Sequence, residues 1–230
     1  MEEILRPKPK FPCPPRLLIC ATEPDLAFLA SRLGFPSRDQ RLFLAKVLRK
    51  EKEGVALAGP VLGGPQMAIL LENLIAAGAR EILFFGWAGA LRQGLPLGAL
   101  LLPEEALSAE GTSGHYPSPR KPDEDLFWAL YHHLLAFGLE INIGKIVSTD
   151  AIYRETLEFC QKFASQALAV EMECAAAFSV ARFRQVKLAA LLFVSDRVYP
   201  HREKAPAAAF KLMRQELLPF FRQWLGPEPF

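Results

Sequence analysis

Short unbroken apolar runs alternate along this chain with segments whose apolar residues recur every three or four positions. Arg16-Leu17-Leu18-Ile19-Cys20-Ala21 is the first run, and Gly54 to Gly59 (GVALAG) and Glu81 to Phe85 (EILFF) repeat the pattern. Runs that are apolar throughout, rather than at every second residue, predict strands buried on both faces. Between them, Pro24 to Leu33 sets Leu26, Leu29, Ala30 and Leu33 on one helical face, and Met67 to Ala77 reads as a helix stopped by Gly78. Leu100 to Ser108 predicts strand pieces around a bend, Phe127 to Phe137 a helix, Ile141 to Val147 a strand and Thr156 to Ala167 a helix. A strand over 167–170, a helix over 174–183 and a strand over 187–194 follow. Pro206 to Leu225 ends the chain as an amphipathic helix, with Pro219 expected to kink or break its last turns.

Strands alternating with helices predict an α/β fold, a three-layer α/β/α arrangement around a mainly parallel mixed sheet. Residues 1–15 carry Pro7, Pro9, Pro12, Pro14 and Pro15 and read as an extended arm; 16–230 read as one domain with a substantial core. Glycine-rich turns are expected at Gly59 to Pro65 and at Gly86-Trp87-Ala88-Gly89, each after a strand. The basic stretch Lys46 to Lys52 (KVLRKEK), interrupted by Glu51, reads as a solvated helix face.

Charge and cysteines narrow the possibilities. A net charge of +2 is too weak for a nucleic-acid or membrane surface, so neither partner is expected. No apolar run reaches the roughly 20 residues that cross a bilayer, and the start Met1-Glu2-Glu3 is unlike a signal peptide. Cys13, Cys20, Cys160 and Cys174 lack CxxC spacing, and His115, His132, His133 and His201 lack metal-site spacing. Reduced thiols, a cytoplasmic location, no metal and no cofactor are the expectations.

The densest polar chemistry sits where apolar runs end. Leu168 to Val170 leads into Glu171-Met172-Glu173, then the small-residue run Cys174 to Ala177; Phe193-Val194 leads into Ser195-Asp196. Two carboxylates beside a helix N-terminus would be favoured as anions by the helix dipole. They could accept from a vicinal diol, or simply cap the helix. If the strand ran on to Glu173 both carboxylates would share a face; if the helix had begun they would diverge. Asp196 has the place of a helix N-cap or of a general acid.

In order and spacing these segments resemble the superfamily of purine nucleoside phosphorylases, uridine phosphorylases and methylthioadenosine nucleosidases, over roughly residues 16–200. Val170-Glu171-Met172-Glu173 followed by alanines is similar to its ribose-binding signature, and Gly86-Trp87-Ala88-Gly89 to its glycine turn. Glu110 to Tyr116 (EGTSGHY) is similar to a segment of the phosphorylase branch, and Ser148 to Tyr153 to the base-stacking segment. The resemblance implies that Glu173 holds the ribose hydroxyls and that Met172 packs on the sugar. It implies a base pocket of Val170, Glu171, Ile152, Tyr153 and Ser195, with Asp196 protonating a purine at N7. Protonation turns an anionic leaving group into a neutral one, while a fixed carboxylate stabilises the oxocarbenium character of the departing sugar. The resemblance also implies a homodimer or larger homo-oligomer, with Arg41 donated across the interface.

The anion end departs from that pattern. The phosphorylases' arginine before the glycine turn, the Ser or Thr within it and the arginine after the first strand are here Phe84, Trp87 and an apolar position near Leu26. A phosphate dianion would be poorly paired there. Cleavage of a purine-type nucleoside by water, activated by Glu23 or Asp25, is therefore the favoured reading. The alternatives are a phosphorylase with a rebuilt anion pocket around Gly86, Trp87, Ala88, Arg41 and Arg202, taking phosphate as co-substrate, and a non-catalytic nucleoside-binding protein.

Overall fold

The computed structural model describes residues 4–36 and 40–226. In chain order its elements are β1 (Arg16–Cys20), α1 (Glu23–Arg32), β2 (Gln40–Leu42), β3 (Ala45–Lys50), β4 (Val55–Gly59), α2 (Gly63–Ala77), β5 (Glu81–Ala90) and β6 (Leu100–Ala109). They continue with α3 (Glu124–Ala136), β7 (Ile141–Thr149), α4 (Leu157–Ala164), β8 (Ala169–Glu171), α5 (Cys174–Phe183), β9 (Lys187–Arg197), β10 (Glu203–Lys204) and α6 (Ala207–Trp224). All ten strands form one mixed sheet in the order β10-β9-β6-β7-β8-β5-β1-β4-β3-β2. Because β9 also pairs with β5, strands β5, β9, β6, β7 and β8 close on themselves instead of lying open. The continuous apolar strands are buried on both faces, as β4 and the first half of β5 show. One apolar cluster joins the sheet to α2 and α5 through Met67, Leu71 and Phe178; another joins it to α1, α3 and α6 through Leu26, Leu130, Leu217 and Phe221.

Four expectations change. Lys46–Lys50 is strand, not helix: Ala45, Val47 and Leu48 are buried as β3 runs antiparallel to β4, and the basic residues are less buried. Charges interrupting the run concealed an outer strand, where charged side chains reach solvent. Gly86–Gly89 is not a turn but the second half of β5, whose parallel register with β9 shifts between Ala88 and Gly89. Leu100–Ala109 is one strand with an irregularity at Pro103 rather than separate pieces. α6 runs unbroken through Pro219, with Leu217, Phe220, Phe221 and Trp224 all buried against the sheet. Packing of that face outweighs the one backbone bond a proline removes.

The arm residues 4–15 have no regular structure; Cys13 N–H donates to the Ala77 carbonyl at 2.9 Å, and Arg49 donates to the Pro12 carbonyl at 2.8 Å. Residues 1–3 of the expected arm lie outside the described residues. All four cysteines are buried and unpaired. Among the described residues no helix is long and apolar enough to cross a membrane, and no metal-holding group of His, Cys, Asp and Glu occurs.

Candidate active site

A cavity of about 600 Å³ opens where β1, β4, β5, β8 and β9 end. Two glycines permit the close approaches beside it. Gly59 has φ 140°, and a Cβ there would overlap the Cys20 carbonyl oxygen. At Gly89 a Cβ would stand 2.7 Å from Val198 and 3.6 Å from an Asp196 oxygen. Glycine is what lets these backbones close on one another.

At one wall β8 stops at Glu171 and α5 starts at Cys174, so the two carboxylates diverge. Glu171 turns back on the start of α5. Its Oε2 accepts from the Glu173 and Cys174 N–H groups at 2.8 Å each, and its Oε1 accepts from the Ser148 hydroxyl. Ser148 Oγ in turn accepts from Ala175 N–H at 2.9 Å. Glu171 lines the cavity and also caps α5, so the capping alternative is realised here. Glu173 reaches instead to the start of α2, where its Oε1 accepts from Gly63 N–H at 2.6 Å. It is 5% exposed, and burial followed by the neighbouring Glu171 charge pushes its carboxyl up to about 8. Glu173 lines the cavity beside Met172 and Val170.

The opposite wall is built by β9. Ser195 Oγ lies 2.8 Å from Asp196 Oδ1 and 3.3 Å from the Ala88 carbonyl. Arg202, in the turn before β10, donates from Nε to Asp196 Oδ2 at 3.3 Å. Glu155, just after a short 3-10 turn at Ile152–Arg154, lines the same end. Burial, then the Asp196 charge, raise Glu155 to about 7, with Arg202 opposing. The sequence reading missed Glu155: it stands in an irregular segment with no periodicity to mark it.

The third end is closed by a buried charge network. Asp25, in the first turn of α1 and 1% exposed, accepts from Arg214 Nε at 2.7 Å, from Trp87 Nε1 at 2.8 Å and from the Thr22 hydroxyl at 2.6 Å. The Trp87 ring stacks obliquely on Phe210, with centroids 4.7 Å apart. Thr22, Trp87, Ala88 and Phe210 face the cavity; Gly86 is buried within β5 behind them. Phe84 and Leu26, at the other positions of the anion pattern, are fully buried core residues.

The remaining expected residues are dispersed. Ile152 lines the cavity, whereas the neighbouring Tyr153 is 94% exposed. Glu23 is ion-paired with Lys46 at 2.5 Å on the outside of α1. Arg41 is exposed in β2 and does not line the cavity. The fold thus gathers Glu171, Met172, Glu173, Val170, Ile152, Ser195, Asp196, Trp87 and Ala88, and leaves Tyr153, Glu23, Asp25, Gly86 and Arg41 outside the lining.

A cavity walled by a buried carboxyl at one helix N-terminus and a carboxyl cluster opposite suits a polyhydroxyl ligand with a basic ring. A model of the phosphorylase superfamily matches residues 15–223. The chain belongs to that superfamily. It is a family of nucleoside phosphorylases and nucleosidases, enzymes that transfer or hydrolyse glycosyl groups. The chain is 33% identical over 147 residues to a guanosine phosphorylase of Halorubrum lacusprofundi, which covers 62% of this chain and 61% of that protein. It is 32% identical over 102 residues to a uridine phosphorylase of Thermococcus kodakarensis, covering 43% and 37%. The matches thus span less than two thirds of these relatives' lengths. Two solved structures share the fold: a purine nucleoside phosphorylase of Toxoplasma gondii (TM-score 0.77, 15% identity, 98% of each chain) and an AMP nucleosidase of Bacteroides thetaiotaomicron (TM-score 0.73, 22% identity, 91% and 89%).

Proposed function

We propose that this superfamily member cleaves the N-glycosidic bond of a purine-type nucleoside, with water as acceptor, in the cytoplasm and without a cofactor. The observation that carries the reading is the placement of Glu173, anchored on Gly63 N–H, across one cavity from Asp196. Glu173 accepts from the ribose 2′ and 3′ hydroxyls, Met172 packs on the sugar, and Val170 and Ile152 flank the base. Asp196, held by Ser195 and Arg202, serves protonation at N7 as the glycosidic electron pair leaves with the base. Positive charge then grows on the ribose beside Glu173, and the low dielectric of a buried site strengthens that attraction as the transition state forms.

Water rather than phosphate is supported by the closed end. Arg214 is neutralised by Asp25, and the Trp87 N–H is donated to the same carboxylate. Neither carboxylate offered for the incoming water reaches the cavity: Asp25 is held by three donors, and Glu23 pairs with Lys46 outside the lining, so the water is oriented by other groups of this end. The phosphorylase reading draws on the relatives' names and on Arg214, a guanidinium brought to this end by α6. A homo-oligomer is also inferred, from Phe43, Leu44 and Leu62, apolar side chains between 67% and 75% exposed. Release of free base from purine nucleosides, measured with and without phosphate, tests the reaction. Phosphate-independent release is expected; release of ribose 1-phosphate only when phosphate is present would replace hydrolysis with phosphorolysis.

A further inference from the structure

Asp196 is an odd sole source of a proton. Both of its oxygens already accept, Oδ1 beside the Ser195 hydroxyl and Oδ2 from Arg202, a pattern that suits a carboxylate. A second carboxyl faces the same cluster. Glu155 lines the cavity, is half-buried, and interacts electrostatically with both Asp196 and Arg202. The other ionisable groups around it are Lys204, across the β9–β10 pairing from Asp196, and Cys160, whose Sγ lies 3.9 Å from the Glu155 carbonyl oxygen. Arg202 is bonded to Asp196, and among the described residues Glu155 has no ion pair or side-chain hydrogen bond of its own in this pocket, so a proton shared between the two carboxyls sits most readily on Glu155.

We infer that Glu155 and Asp196 act as an acid pair, with Glu155 the member that holds the proton delivered to the departing base. The inference rests on the glycosidic reading above. In the step, the Glu155 O–H bond breaks and an N7–H bond forms, directly or by exchange through Asp196. The C1′–N9 electron pair leaves with the base, and Glu155 is left as carboxylate. Water adds to C1′ and loses one proton, so the pair is reprotonated from solvent and the overall balance is nucleoside plus water to ribose plus neutral base. Burial and the Asp196 charge hold Glu155 near 7, so its proton is present below neutrality and lost as the pH rises through that value.

The test compares inosine with 7-methylinosine, whose base already bears the charge that protonation would add and so leaves neutral without an acid. For the unaltered protein, kcat/KM on inosine is expected to fall as pH rises above about 7, with no matching fall on 7-methylinosine. Glu155→Gln is expected to lower kcat/KM on inosine roughly a hundredfold and to abolish that limb, while 7-methylinosine cleavage stays within about threefold. Equal losses on both substrates, or none, would overturn the inference, as would parallel pH profiles in the unaltered protein, a measurement that needs no variant. Cleavage of neither substrate at any pH would overturn the glycosidic reading and this inference with it. Cleavage of both with indistinguishable pH dependence would overturn the inference alone.

Discussion

The two ends of the cavity use buried charge in opposite ways. At the Trp87 end Asp25 has three donors, one of them the Arg214 guanidinium, so the charges are spent on each other. At the β8–β9 end Glu173 and Glu155 are held away from water, each beside another carboxylate (Glu171 and Asp196), and both carboxyls are raised towards neutrality. The first arrangement stabilises the molecule. The second holds groups in an environment that a ligand's charge would improve, which is how sites meant for chemistry differ from structural ion pairs. The contrast also bears on the phosphate pattern: the guanidinium at this end is paired with Asp25.

The sharpest way to break the comparison is at Glu173. Glu173→Gln keeps an acceptor for Gly63 N–H and nearly the same volume but cannot become an anion beside the ribose. Turnover is expected to fall roughly a thousandfold, about 4 kcal/mol of transition-state stabilisation. Folding and nucleoside binding should survive, as followed by circular dichroism and ligand titration. Undiminished turnover would place Glu173 on the structural side of the comparison, with Glu171.

Arg214→Met probes the other end and should reverse the pattern, costing stability first. Removing one partner of a buried pair leaves Asp25 uncompensated, at about 3 kcal/mol. For a chain of this size that lowers Tm by roughly 2–4 °C per kcal/mol. The double variant Asp25→Asn with Arg214→Met should regain most of the loss, because no buried charge is left alone. If phosphate stabilised the native protein and Arg214→Met alone removed the effect, Arg214 would be an anion ligand, and the phosphorylase reading would gain.

What was legible in the sequence follows the range of the interactions. Glu173, Met172 and Asp196 stand at ends of apolar runs, so a local pattern marks where a strand hands over to a helix or a turn. The Trp87 end cannot be read that way: Asp25 and Arg214 are separated by 189 positions, and Trp87 meets Asp25 across 62. The family resemblance offered Asp25 as a base for water, and nothing local in the sequence shows that α6 returns a guanidinium to it. β3 was misread for a related reason. Its register against β4 buries Ala45 and Val47, and that pairing is a tertiary fact overriding a mixed local pattern.

The smallest effect concerns how protons and folding are linked at the reactive end. Glu173 stands near 8 in the folded chain and near the ordinary carboxylate value when unfolded. Between those values the native state binds the extra proton, so this group's contribution to stability is greatest at low pH and declines as pH rises towards 8. The slope in that window approaches about 1.4 kcal/mol per pH unit for one such carboxyl. Urea titrations at a series of pH values should show the unaltered protein losing stability faster than Glu173→Gln between about pH 5 and pH 8, with the two parallel above. Asp25→Asn supplies the contrast, since its cost should come from an unpaired Arg214. Identical slopes for the unaltered protein and Glu173→Gln would mean that Glu173 is already ionised in the free cavity. The two ends would then differ in geometry alone, and the attraction assigned to Glu173 during bond cleavage would have to come from position rather than from a destabilised ground state.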